Sequence, residues 1–130
     1  PRAVHVDLDQ ATAGILGECS AADCPKVGYD EVLNWKLSER IEQMQSDRVF
    51  VTLHQTGSHG PAYYNKYLAE FEYFTPVCKM VQIAKCSDEE LNNAYDNTIR
   101  YTDSLIADLI SKLKQMKNVN AAVIYVADHG

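Results

Sequence analysis

Ala121-Ala-Val-Ile-Tyr-Val-Ala-Asp-His-Gly130 is the stretch from which the fold can be read. Val123 to Val126 is a run of apolar and β-branched residues, the pattern of a buried strand, and it empties straight into Asp128-His129-Gly130. Before it, Asn118-Val-Asn120 supplies a turn, and from Ser87 to about Lys117 no Gly or Pro interrupts the chain. Leu91, Ala94, Tyr95, Thr98, Thr102, Leu105, Ile106, Leu109, Leu113 and Met116 recur there at three- and four-residue intervals, the helical period. Ser87-Asp-Glu-Glu90 has capping-box form, with Ser87 as N-cap and Glu90 three residues on. The predicted helix is about 45 Å long. Lys112, Lys114 and Lys117 lie at its C-terminal end, where cations are favoured.

Arg48-Val-Phe-Val-Thr-Leu53 is an earlier near-continuous apolar run, of the kind buried on both faces in a parallel sheet. A strand–helix–strand connection of this length implies parallel strands joined by a right-handed crossover. The expected fold is therefore α/β, a layered sheet with parallel strands and flanking helices. A shorter helix is expected from Asp30 as N-cap, with Glu31 in the first turn. Leu33, Leu37, Ile41 and Met44 form its apolar stripe, and Lys36, Glu39, Arg40 and Glu42 its opposite face. Residues 1–28 read mostly as loop, punctuated by Gly14, Gly17, Pro25 and Gly28. Val4-His5-Val6 fits an edge strand within them, with His5 a surface or packing residue.

The 130 residues suit one domain or part of a larger one, and no internal repeat divides them. A hydrophobic content of 46% with 23% charged residues is that of a globular chain. The net charge of −6 argues against a basic surface that binds nucleic acid. No apolar run approaches the roughly 18 residues of a membrane span, and no signal peptide opens the sequence. The start at Pro1 rather than Met, and the end flush on a motif, give the chain the look of an excised piece.

Four cysteines fall into two local pairs, Cys19 with Cys24 and Cys78 with Cys86. The spacings C-x4-C and C-x7-C lack the C-x2-C hooks of most structural zinc sites. Two short disulfide-closed loops are preferred over free thiols or a zinc knuckle, although three connectivities are formally possible. Disulfides imply an oxidising compartment.

In open parallel sheets, ligands bind beyond the carboxyl ends of the strands. His54-Gln-Thr-Gly-Ser-His59-Gly-Pro61 follows the first strand there, and Asp128 and His129 follow the second. If the two strands are close in the sheet, these groups converge on one rim. The loop runs on through Tyr63, Tyr64, Tyr67, Phe71-Glu-Tyr-Phe74 and Pro76 into the Cys78–Cys86 segment, and irregular excursions of that length are usually functional. Asp and His are good zinc ligands, but a zinc site needs three or four of them. Taken alone, Asp-His-Gly equally fits a plain turn, and His59 equally fits a loop histidine bonded to local backbone. No G-x-S-x-G, P-loop or G-x-G-x-x-G is present, and Ser58 lacks the nucleophile-elbow context.

Five motifs together say more. Tyr29-Asp-Glu-Val-Leu33, Leu53-His-Gln-Thr-Gly-Ser-His-Gly-Pro-Ala-Tyr-Tyr64, Phe74-Thr-Pro-Val-Cys78, Tyr95-Asp-Asn-Thr98 and Tyr125-Val-Ala-Asp-His-Gly130 occur in order. They closely resemble the catalytic domain of the lipid A phosphoethanolamine transferases, a group that includes the mobile colistin-resistance enzymes, within the alkaline phosphatase/sulfatase superfamily. The resemblance covers about residues 18–130, while residues 1–17 match poorly.

The resemblance implies an inner-membrane protein, expected as a monomer, whose α/β domain lies on the periplasmic face. Its members transfer phosphoethanolamine from a phosphatidylethanolamine donor to a lipid A acceptor through a phosphorylated threonine, which confers polymyxin resistance. Zinc lowers the pKa of that hydroxyl and stabilises charge on the phosphoryl group. Carried over residue by residue, Asp128 and His129 correspond to two zinc ligands. His59 corresponds to the histidine facing the phosphoryl group or a second metal, which makes it the expected catalytic residue. His54 and His59 are expected on the substrate side. The cysteine pairs correspond to two of the family's disulfides, with a shorter Cys19–Cys24 loop.

The departures are specific. An upstream glutamate and the nucleophilic threonine complete the family's zinc site, a further histidine normally follows Asp-His-Gly, and none of these motifs is in this sequence. Thr52, Thr56 and Thr98 do not occupy the nucleophile's motif. Membrane association would come only through segments not in this sequence. The polypeptide alone is expected to be inactive and to bind zinc weakly. Two rival readings use the same residues, a sulfatase- or phosphodiesterase-type hydrolase and an inactive head-group-binding domain.

Overall fold

Val49, Val51 and Leu53 alternate with Phe50 and Thr52 along a five-residue strand, so that one face is half-buried and the other open. In the computed structural model of the chain, residues 2–6, 15, 18–19 and 24–127 are described. The strand at Val49–Leu53 (β2) pairs in parallel with Arg2–Val6 (β1), in the register Arg2 opposite Val49 through Val6 opposite Leu53. The Val4-His5-Val6 segment is thus a strand, as expected, and it begins two residues earlier, at Arg2. The expectation that β2 is buried on both faces is corrected, since Phe50 is 64% exposed. One face of β2 is covered, and from it Leu53 packs on a cluster of Ile15, Val32 and Leu33.

The expected first helix is broken in two. Asp30–Asn34 is a 3-10 turn, and α1 spans Leu37–Gln43. Lys36 between them takes the left-handed conformation, φ 49°, which ends one helical register and begins another. Asp30 is no N-cap. Its carboxylate turns inward to a different task, and Tyr29 stands at the cap position with no side-chain hydrogen bond. The apolar positions keep their role: Val32, Leu33 and Leu37 are buried.

The long helix forms as its sequence prescribes. Here α2 spans Asp88–Gln115, and Ser87 Oγ accepts from the Glu90 N–H at 3.2 Å while Glu90 Oε2 accepts from the Ser87 N–H at 2.8 Å. Such a box satisfies two of the orphan N–H groups at the helix start, and its cap is worth about 1 kcal/mol. Asn118, φ 64°, makes the turn beyond the other end. The buried face of α2 consists of Ala94, Asn97, Thr98, Tyr101, Thr102 and Leu105. Tyr101 centres a second cluster with Tyr67, Leu68 and Leu105, its ring edge-on to Phe71 at 4.9 Å. Asn34 joins the two halves, its Nδ2 donating to Leu105 O at 2.8 Å and Asp108 Oδ2 at 3.0 Å.

The closing strand is a correction. Residues 121–127 have no regular secondary structure, and Val123, Ile124, Tyr125 and Val126 are 41%, 83%, 59% and 75% exposed. An apolar run becomes a strand only when a neighbour satisfies its N–H and C=O groups, and no strand among the described residues lies beside this one. Both disulfides form as paired in the sequence reading, Cys19 with Cys24 and Cys78 with Cys86.

Candidate functional site at the carboxyl end of β2

The loop that leaves β2 carries His54 and His59, and its shape is set residue by residue. Gly57 adopts φ 50°, a conformation that side chains rarely take, and the turn closes through a hydrogen bond from the His59 N–H to Thr56 O at 3.2 Å. The buried Asp30 carboxylate then fastens this turn to the 3-10 segment. Oδ1 accepts from the Thr56 N–H at 2.9 Å and from the Thr56 hydroxyl at 3.0 Å, and Oδ2 accepts from the Gly57 N–H at 2.8 Å.

Helix α2 holds the loop from the other side. Thr98 Oγ1 lies 2.7 Å from Ser58 Oγ and 2.6 Å from Tyr95 O. A hydroxyl has one proton and a carbonyl can only accept, so Thr98 donates to Tyr95 O and takes the Ser58 proton as acceptor. Downstream, Gly60 passes so close to the Tyr63 ring that an added Cβ would lie 3.0 Å from its hydroxyl oxygen. Tyr63 in turn meets Tyr95 edge-on at 5.6 Å.

Beside Thr98 on α2, Asn97 fixes the second half of the excursion. Its Oδ1 accepts from the Tyr73 and Phe74 N–H groups at 2.9 Å each, and its Nδ2 donates to Phe74 O at 2.9 Å. Asn93 Nδ2 donates to Pro76 O, and the Cys78 N–H donates to Glu90 O. Burial pushes the Tyr67 phenol above its ordinary range, and the same cause, stronger, acts on Tyr101. Both rings are neutral packing elements here.

His59 is exposed, and its Nδ1 lies 2.9 Å from Gly60 O. A carbonyl can only accept, so Nδ1 carries the proton and the lone pair of the neutral ring sits on Nε2. The bond to local backbone is the one the plain loop reading anticipated. It also prepares the ring, because an Nδ1–H held by a carbonyl is the usual support for an Nε2 that takes a proton or a metal. His54, directly after β2, is exposed too. Asp128 and His129 lie outside the described residues, and so does Gly130. The second of the two strand ends expected to converge is not formed among the described residues: β2 has β1 as its partner, and residues 123–126 are no strand. Among the described residues no three His, Cys, Asp or Glu side chains come together as a metal site.

Asp30 and Asn97 are residues that periodicity misread, and Thr98 is one whose burial it anticipated but whose contact with Ser58 it did not. It made the first a helix cap, left the second outside the recurring helical positions and put the third among them. The signal that finds them is motif membership, since each lies in one of the five ordered motifs.

The family described as Sulfatase matches residues 7–130. Phosphoethanolamine transferase EptA of Salmonella typhimurium is 42% identical over 115 residues, which cover 88% of this chain and 20% of the relative. Phosphatidylethanolamine transferase Mcr-1 of Escherichia coli is 45% identical over 132 residues, covering 100% of this chain and 24% of the relative. Among solved structures, the C-terminal periplasmic domain of phosphoethanolamine transferase EptC from Campylobacter jejuni superposes with a TM-score of 0.68 at 37% identity, covering 88% of this chain and 37% of that one. The chain thus spans about a fifth of the length of the curated relatives it matches.

Proposed function

The chain belongs to the sulfatase family and carries part of its α/β domain, and on that premise we propose that it is a segment of the catalytic domain of a phosphoethanolamine transferase. The substrates would be phosphatidylethanolamine as donor and lipid A as acceptor, met at the periplasmic face of the inner membrane. The observation that carries this reading is the preset loop at the end of β2, with His59 exposed and its Nδ1 proton committed to Gly60 O. Phosphoryl transfer asks the protein mainly for positioning and for charge placed around the moving group. In this role Nε2 of His59 faces the transferring phosphoryl group, where it accepts or returns a proton at the reacting oxygen.

The donor set fits zinc in part. A neutral imidazole with its lone pair on Nε2, an aspartate and a second histidine are the ligand types zinc takes. We assign Asp128 and His129 as two of its ligands, with the rest of the set from outside this chain. Zinc, when bound, would lower the pKa of a coordinated hydroxyl and stabilise phosphoryl charge. No residue of this chain is assigned as the nucleophile.

The test is to produce the full-length protein in cells lacking other such transferases and weigh their lipid A. A mass gain of one phosphoethanolamine is expected. Unmodified lipid A together with free phosphoethanolamine would instead favour the hydrolase that family membership alone also allows.

A further inference from the structure

We propose that Asp30, together with Thr98, is a positioning residue for His59, holding the histidine-bearing loop in its working shape before substrate arrives. The proposal rests on the transferase reading for what His59 does, while the clamp itself rests on geometry. Asp30 is 3% exposed, and a carboxylate removed from water is costly unless donors surround it. Three donors reach it from the loop, namely the N–H and hydroxyl of Thr56 and the N–H of Gly57.

The turn needs no carboxylate to close, because the His59 N–H to Thr56 O bond already does so. What the carboxylate adds is attachment. It ties two successive peptides to a 3-10 turn whose Val32 and Leu33 are core residues. On the opposite side Ser58 is tied to Thr98, which is itself 1% exposed on α2. Residues 56, 57 and 58 are therefore all anchored, and His59 is the first residue beyond the clamp. The ordering entropy of the loop is spent in folding rather than on the way to the transition state. Misplacement of a reacting group by about 1 Å can cost about 100-fold in rate, which sets the scale of the effect.

The variants to make, in the full-length protein, are Asp30→Asn, Thr98→Val and Thr98→Ser. Asp30→Asn keeps an oxygen for Thr56 but turns an NH2 group toward the Gly57 N–H, so one bond is lost with little change of volume. Its kcat for transfer is expected to fall about 10- to 100-fold, with the KM for the phospholipid donor within about twofold. Thr98→Val should lose roughly tenfold, and Thr98→Ser, which keeps the hydroxyl, should stay within about twofold of wild type. In 15N-histidine spectra the Nδ1-protonated ring of His59, dominant in wild type, should become a mixture of tautomers in Asp30→Asn.

Unchanged kcat and unchanged ring signals in folded Asp30→Asn and Thr98→Val would overturn the proposal. So would equal losses in Thr98→Ser and Thr98→Val, and that pair decides the matter if Asp30→Asn does not fold. The ring spectrum needs no turnover. A wild type that transfers no phosphoethanolamine therefore removes the transferase reading and leaves the clamp to be judged by the tautomer.

Discussion

His59→Ala in the full-length protein is expected to lower the rate of phosphoethanolamine transfer by about 100- to 10,000-fold, the range lost with a general acid–base group. Stability should hardly change. The side chain is exposed, and surface substitutions usually stay within about 0.5 kcal/mol. That separation makes the variant informative, because a large loss of rate at an unshifted melting temperature belongs to the reaction and not to the fold. His59→Gln should rescue little. An amide can donate or accept a hydrogen bond, but it cannot take up a proton near neutral pH. Single-turnover rates and melting curves of the two variants beside wild type are the measurement. A loss below about threefold would remove His59 from the reacting centre.

Tyr101→Ala is expected to cost about 3–5 kcal/mol, as large aromatic deletions in cores do. The ring is 2% exposed, meets Phe71 and Tyr29 edge-on, and packs with Tyr67, Leu68 and Leu105. Its removal opens a void between α2 and the 3-10 segment that bears Asp30. Domains are stable by only about 5–15 kcal/mol, so the loss is a large share of the total. The loop of His59 hangs on Asp30 and Thr98, one on each side of that void, and activity should therefore fall with stability in this variant. Tyr101→Phe should cost much less, because among the described residues the phenol oxygen accepts one long bond, of 3.4 Å, from the Glu31 N–H. Urea unfolding of the two variants distinguishes the deletion of a ring from the deletion of a hydroxyl. A cost under about 1 kcal/mol for Tyr101→Ala would mean that this cluster does not hold α2 in place.

Sequence reading recovered what is set locally. The capping box at Ser87 and Glu90, the 28-residue helix behind it and the β2 run each follow from neighbours a few positions apart. Both disulfides were also legible, since short loops pair at little entropic cost. What it missed depends on distant partners. The burial of β2 on one face only, and the exposure of residues 123–126, depend on which strands lie alongside, and an apolar run does not say that. The first helix broke at Lys36, which takes a left-handed conformation although the apolar spacing was helical, and Asp30 serves a loop 26 residues away instead of capping. His59 was singled out by its motif and its place after a strand, and the structure puts it exposed on the loop that leaves β2. The contacts of Asp30 and Thr98 with that loop were not legible, since a carboxylate and a hydroxyl that reach residues 26 and 40 positions away have no periodic signature. Asp128 and His129 remain assignments from resemblance, carried by the order of five motifs.

The most direct test gives the purified full-length protein phosphatidylethanolamine labelled in its head group, first alone and then with lipid A. The expected result is label bound covalently to the protein in the first step and passed to lipid A in the second. Label released to water as phosphoethanolamine without a protein-bound stage would contradict transfer and make the protein a hydrolase. Donor bound but never cleaved would make it a head-group-binding domain.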